Sequence, residues 1–479
     1  MLAFHIDLNS VALKRETISS LLHFLAACGY DSILWEVEDK VRWETCPECV
    51  HPDAFTKDEF RDILDEAAAL GLQPIPLLQT FGHGEYVLAC EKYVPWRELP
   101  EYKDCYCVSR PDVRAFLARW IDEYLDLFGA AVKFFHLGGD EAYSFAKCDV
   151  CSKRDRMELY AEHLVAVSGE LRKRGIRPGI WCDMILSGDD EKAVANIPKD
   201  FVIWHWDYYY GCSGRPRSKW SDKTRFLQEN GYDVVFCAAS QCGGESPFVT
   251  RYGWRSENVI ASAKLVRDDK MLGLCVTSWS VRGAPKALQY PVAELAAVCH
   301  RSAGIDGKEA FERLARRYFG DVSAQTLCDL TDWDYRNFAG IEGRGWTRYK
   351  DASIPTPGRW AAVMADADGK PEGEPGSRPS RIAATEAMLA KIKAAEATLR
   401  AARHRTALAD LLARGAKLNI RLLEDSFAAV RGESVPPAPC LATADYYGLE
   451  QTDLSAINFA RLVWAVLDER FAEVPPLRK

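Results

Sequence analysis

The feature that most constrains this chain is an alternation repeated eight times over about its first 300 residues: a short apolar run, then an amphipathic helical stretch. The runs open at Ala3, Ser32, Gln73, Phe134, Arg177, Phe201, Asp233 and Gly273. Helical patterns follow at 14–28, 57–70, 111–128, 157–174, 189–196, 218–230, 254–267 and 291–303. The runs are continuous rather than alternating, which suits parallel strands buried on both faces. Eight such units in series predict an α/β fold, a (β/α)8 TIM barrel over residues 1–305. A doubly wound open sheet is the alternative. The count of eight and the lack of a Gly-rich phosphate loop after the first run argue against it.

Past residue 305 the strand signals stop, so 306–479 reads as an all-α C-terminal region. Helices are expected at 307–319, 380–403, 406–431 and 452–471, with a Gly- and Pro-rich loop near 365–379. Their apolar faces must bury against each other, against the barrel, or against a second copy, which makes a homodimer through these helices one expectation. The formal charge of −8 offers no basic footprint, so nucleic acid is not an expected partner. No basic segment precedes an apolar run at Met1–Asp7, and no run of about 18 apolar residues occurs. No membrane association and a cytoplasmic location are therefore expected. Sixteen cysteines in such a chain should be thiols or metal ligands rather than disulfides.

Barrels of this kind keep their chemistry where strands open into the following loops. The fourth run, Phe134-Phe135-His136-Leu137-Gly138-Gly139-Asp140-Glu141, ends there in two adjacent acids. The bland reading is an acidic turn that caps the next helix. Three tryptophans, Trp181, Trp206 and Trp279, stand at the ends of runs five, six and eight, with Asp183 among them. Singly each could be core. Together beside an acid pair they suit a pocket in which a pyranose face stacks and its hydroxyls bond to acids. His83 and His136 are either groups that hold Asp140 or a loop in place, or core histidines.

The sequence His136–Glu141 resembles the acid-pair motif of glycoside hydrolase family 20, the β-N-acetylhexosaminidases. Leu78-Gln79-Thr80-Phe81-Gly82-His83, Trp181-Cys182-Asp183-Met184 and the segment at Trp279 extend the resemblance across the barrel. The helical tail, with no α+β domain ahead of the barrel, resembles the intracellular hexosaminidase D-like branch. The resemblance implies exo-acting removal of terminal β-linked N-acetylhexosamine from glycans or glycoconjugates, with no cofactor for catalysis. It implies substrate-assisted retaining hydrolysis, in which the 2-acetamido oxygen attacks the anomeric carbon and forms an oxazolinium ion. Glu141 would be the general acid and then the general base. Asp140 would orient the acetamido group, and Tyr208 or Tyr209 would bond its carbonyl. His83, His136, Trp181, Asp183, Trp206, Tyr208, Trp279 and Arg282 are expected to surround the sugar. The family's arginine near strand one has no counterpart, since Asn9-Ser10 follow Asp7; Glu36, Glu38 or Asp39, with Arg282, would take over hydroxyl recognition. Neighbouring residues on a regular strand face opposite ways, so Asp140 and Glu141 can share one pocket only if the strand breaks at Gly138-Gly139. Two alternatives stay open: a glycosidase that uses Glu141 with Asp183 as separate carboxylates, and a carbohydrate-binding protein without turnover.

Two Cys-x-x-Cys pairs, Cys46/Cys49 after run two and Cys148/Cys151 after run four, have the knuckle spacing of a zinc site. Brought together they would make a closed, structural zinc site with four cysteine ligands that ties the rim loops. Reduced thiols are the alternative.

Overall fold

The computed structural model describes residues 1–187, 190–213, 220, 222–242, 245–280, 284–332, 378–430, 433–434 and 439–464. Eight parallel strands close into a barrel in chain order. They are β1 (Leu2–Asp7), β2 (Ser32–Glu36), β3 (Gln73–Leu77), β4 (Phe134–His136), β5 (Arg177–Trp181), β6 (Val202–Trp206), β7 (Asp233–Gln241) and β8 (Gly273–Ser278). Each coincides with one of the eight apolar runs.

Two prolines shape the barrel near the acid pair. In β3 the amides of alternate residues face β4, as Leu78 N–H to the His136 carbonyl (3.0 Å) and Thr80 N–H to the Leu137 carbonyl (3.2 Å) show. Pro74 and Pro76 occupy the same parity and have no N–H to give. β3 therefore pairs with β2 along its length, from Ser32↔Gln73 to Glu36↔Leu77, but with β4 only at Leu77↔His136. The β3–β4 connection is thus concentrated at the rim, directly below Gly138.

Two apolar layers result. Ala3, Leu34, Ile75, Leu77, Trp181, Val202, Trp204, Val235, Cys237 and Cys275 fill the barrel, and a larger cluster lies between strands and helices. The helical pattern at 157–174 is two helices, Arg156–Val167 and Gly169–Lys173, broken at Ser168. Short helices such as Ala324–Thr331 and Cys440–Tyr447 carry too little periodicity to be read from sequence. No helix among the described residues is long and apolar enough to cross a membrane.

The C-terminal helices Arg378–Ala401, Ala407–Val430, Cys440–Tyr447 and Asp453–Trp464 bury side chains in the same cluster as the outer barrel helices. The stretch 365–377 lies outside the described residues. Polar bonds fix the docking. Tyr446 Oη donates to the Phe248 carbonyl (2.6 Å) and Tyr447 Oη to the Pro247 carbonyl (3.0 Å). The Glu450 carboxylate accepts from the amides of Lys286 and Ala287. Thr452 N–H donates to the Ala12 carbonyl (2.9 Å). The tail thereby braces the loops after β1, β7 and β8. Tyr446→Phe leaves the buried Phe248 carbonyl without its donor, at a cost of about 1–2 kcal/mol. Thermal unfolding should show Tm lowered by a few degrees; an unchanged Tm would mean that this bond does not anchor the tail.

Candidate active site

The acid pair reaches the barrel mouth through a backbone break. β4 stops at His136, and Gly138 (φ 69°), Gly139 (φ 95°) and Glu141 (φ 47°) all adopt left-handed conformations. The turn puts both carboxylates on one side. His83 Nε2 lies 3.3 Å from Asp140 Oδ2 and 3.4 Å from Glu141 Oε2. Asp140 is buried and its Oδ1 has no hydrogen-bond partner among the described residues, whereas the Glu141 side chain is 37% exposed. A left-handed glutamate is strained. Asp183 holds it, its Oδ2 accepting the Glu141 N–H at 2.9 Å while Oδ1 accepts the Trp206 indole N–H at 3.2 Å.

The loop after β3 and the turn after β4 interlock. A Cβ on Gly138 would overlap the side-chain oxygen of Gln79, and a Cβ on Gly82 would overlap the Asp140 carbonyl. His83, next in sequence, is itself left-handed (φ 50°). Its ring faces both acids because the backbone at Gly82 can press against theirs.

Below this pair lies a buried polar chain. His5 Nε2 is 2.9 Å from Glu36 Oε2, and Gln79 Nε2 donates to Glu36 Oε1 at 3.0 Å. Burial, with the charge of Asp140 adding to it, pushes Glu36 up to about 7. Burial and the same charge push Asp183 up to about 7. Burial holds His5 down at about 4. Glu38 reaches the same region, its Oε1 accepting from Asn9 Nδ2 at 2.9 Å, and burial pushes its carboxyl well up. Asp39 instead pairs with Lys40 at 2.5 Å, fully buried. Lys286, from the loop after β8, donates to Ser278 Oγ at 2.7 Å; burial lowers it to about 8. His5 and Lys286 carry no motif that sequence reasoning could seize on; inward alternation along β1 is the signal that marks His5.

The aromatic wall differs from expectation at two positions. Trp181 is 0% exposed, enclosed by His136 (ring centroids 4.2 Å), Trp204 (6.3 Å) and Trp279 (5.8 Å). His136 is also fully buried, with Nδ1 accepting the Gly138 N–H at 3.0 Å and burial holding it neutral. Neither faces the pocket. Both side chains point into the barrel and form the layer on which the pocket rests. Of the three expected wall tryptophans, Trp206 and Trp279 are partly exposed. Tyr208 joins them, stacked on Trp206 (5.4 Å, 19°) and edge-on to Trp279 (6.3 Å). Tyr209 turns away to Trp254 (5.6 Å). Arg255, which sequence reasoning did not single out, holds this loop through Nη1 to the Tyr208 carbonyl (2.7 Å) and is paired with Glu245 (2.5 Å). Arg282 lies outside the described residues.

The expected tetrad of Cys46, Cys49, Cys148 and Cys151 does not form. The long β3–β4 loop runs between the two knuckles and offers each its own cysteine. Cys49 Sγ lies 3.2 Å from Cys90 Sγ, while Cys148 and Cys151 converge with Cys107 and Glu98.

Residues 18–242 match the family model described as glycosyl hydrolase family 20, catalytic domain. Hexosaminidase D of Bos taurus is 28% identical over 290 residues, spanning 57% of this chain and 83% of that protein. Hexosaminidase D of Homo sapiens is 27% identical over 214 residues, 43% of this chain and 44% of that protein. The solved chitobiase of Flavobacterium johnsoniae superimposes with a TM-score of 0.52 at 16% identity, over 96% of this chain and 77% of its own, a likeness of fold.

Two outcomes follow from the geometry. Gly82→Ala should cut turnover by well over tenfold while the chain still folds, because the clash falls on the Asp140 backbone; normal kcat with a normal melting curve would contradict the interlock. The second concerns pH. Asp183 is raised from 3.8 to about 7, so the folded state binds the extra proton and this group's stabilisation is lost as pH rises through that window. Asp183→Asn forfeits one accepted hydrogen bond at every pH but escapes this loss. The Tm of the variant minus that of the parent should therefore rise from pH 4 to pH 7; a flat difference would refute the assignment.

Proposed function

We propose, from the match of residues 18–242 to the glycosyl hydrolase family 20 catalytic domain, that the chain is a member of that family and an exo-acting β-N-acetylhexosaminidase. The observation that carries this reading is the asymmetry within the acid pair. Glu141 is solvent-accessible, as a group must be that protonates a leaving oxygen and later takes a proton from water. Asp140 is enclosed and presents a buried oxygen without a donor among the described residues. The acetamido N–H of an N-acetylhexosamine is the donor that such an oxygen lacks.

In this reading the sugar packs between Trp206, Tyr208 and Trp279, with its 2-acetamido group toward Asp140. The acetamido oxygen attacks the anomeric carbon and the glycosidic bond breaks. Glu141 gives its proton to the departing oxygen. Asp140 stabilises the charge that develops on the nitrogen of the oxazolinium ion. Water then opens the ring, with Glu141 taking its proton, and the β configuration is retained. Tyr208 suits the contact to the acetamido carbonyl better than Tyr209, whose ring lies against Trp254. Both Glu36 oxygens are engaged by His5 and Gln79, whereas Glu38 Oε2 has no hydrogen-bond partner among the described residues, which leaves Glu38 as the carboxyl for a sugar hydroxyl.

The two-carboxylate alternative fits less well. Both oxygens of Asp183 are already engaged, by the Glu141 amide and the Trp206 indole, so Asp183 is held as a bracket rather than free as a nucleophile. A binding protein without turnover would have no need of an accessible acid beside a strained turn.

The test is release of nitrophenol from the 4-nitrophenyl β-glycosides of N-acetylglucosamine and N-acetylgalactosamine. Glu141→Gln should lower kcat by about 10²–10⁴, and a thiazoline analogue of the oxazoline should inhibit the parent tightly. Turnover in Glu141→Gln near the parental rate would remove Glu141 from the role, and indifference to the thiazoline would return the two-carboxylate mechanism.

A further inference from the structure

The geometry points to a structural zinc site formed by Cys107, Cys148, Cys151 and Glu98, a ligand set different from the pairing that the two Cys-x-x-Cys motifs suggest. One ligand atom from each of the four lies within 4.8 Å of all the others. Cys107 Sγ is 3.8 Å from Cys148 Sγ and 3.8 Å from Cys151 Sγ. A disulfide needs about 2.05 Å. The edge of a tetrahedron of sulfurs bound at about 2.3 Å is about 3.8 Å, which is the spacing seen.

Three further observations belong to a cation and are hard to explain without one. Glu98 is buried, and while Oε1 accepts from the amides of Lys147 (3.0 Å) and Cys148 (3.1 Å), Oε2 has no hydrogen-bond partner among the described residues. A buried carboxylate left with a bare oxygen beside three sulfurs is costly unless a positive charge faces it. The Cys151 N–H donates to Cys148 Sγ at 3.4 Å, the amide-to-sulfur bond of a metal knuckle. Ser109 Oγ lies 3.1 Å from Cys151 Sγ, where its hydroxyl can donate to a thiolate. Three soft thiolates in tetrahedral array select zinc over magnesium or calcium.

Four protein ligands close the coordination shell, so this zinc has no open position for chemistry. Its work is to join two loops. Glu98 and Cys107 sit on the β3–β4 loop that begins with His83; Cys148 and Cys151 lie seven and ten residues past Glu141. A second clamp runs alongside, Ser144 donating through N–H (2.9 Å) and Oγ (2.6 Å) to Asp104. The cation would thus fix the loop of His83 against the loop of the acid pair. This inference does not depend on which glycoside is cleaved.

Metal analysis of the whole chain, purified with reductant and without added metal, tests it. The parent should carry about one zinc per chain. Cys148→Ser should carry almost none, and Cys46→Ser should keep it. Because a cysteine variant could fail to fold, two measurements use an intact thiol set. Cobalt exchanged into the parent should give the strong visible absorption of a tetrahedral thiolate complex, and Glu98→Gln should weaken zinc affinity at least tenfold in a chelator competition while keeping that absorption. Chelation should lower Tm before any substrate is added. Purified parent with far less than one metal per chain and no tetrahedral cobalt spectrum would overturn the site, as would metal that is lost with Cys46→Ser but kept with Cys148→Ser.

Discussion

Everything at the mouth of this barrel depends on one short reversal of backbone hand, from Gly138 to Glu141. A regular strand would send Asp140 and Glu141 to opposite faces, one into the packed interior and one outward. Left-handed φ at Gly138, Gly139 and Glu141 brings both to the same His83 nitrogen. Two glycines enter that region at little cost, but Glu141 does not. Its conformation is held by the Asp183 carboxylate at its amide, and Asp183 is held in turn by Trp206. Residues at the ends of β4, β5 and β6 and in the turns just past them therefore act on a single dihedral angle.

The same arrangement concentrates acid where water is scarce. Glu36 and Asp183 are both raised by burial and by the charge of Asp140. Burial and that charge favour the protonated form of both, which limits the negative charge that gathers around Asp140. His5, held neutral by burial, and Gln79 satisfy Glu36 without adding a counter-charge. A permanent cation there would compete for the acid pair; the buried cations of this region, Lys286 and Lys40, are turned to Ser278 and to Asp39.

How much of this is legible in the sequence follows from which forces are local. Strand order and burial come from continuous apolar runs, and all eight strands fall where those runs lie. The acid pair is legible because its glycines and carboxylates are consecutive. Trp181 and His136 read as pocket wall, yet they lie beneath it, because strand-end position does not reveal which rim side chains are roofed by others. The cysteines mislead for a related reason: the Cys-x-x-Cys spacing marks a knuckle but not its partner. Cys107 and Glu98 come from one long loop with no spacing of their own to announce them. Arg255, two elements away from the tyrosine loop that it holds, has no local signature at all.

Pro74 and Pro76 link the fold to the site. By withholding amides from β4 they limit its pairing with β3 to Leu77↔His136, and Leu78 N–H, just past β3, donates to the His136 carbonyl. The ladder then continues past the end of the strand, through Thr80 to Leu137 on one side and through Leu137 to Gly179 and Trp181 to Gly138 on the other. The reversal is thus gripped from both flanks at the level where the chain departs from strand geometry. The two loops then meet face on: Gln79 fills the space that a side chain at Gly138 would need, and the Asp140 carbonyl fills the space that a side chain at Gly82 would need. The two motifs at 78–83 and 136–141 are for this reason one structural unit, hydrogen-bonded through Leu78 and Thr80 and in contact at Gly82 and Gly138.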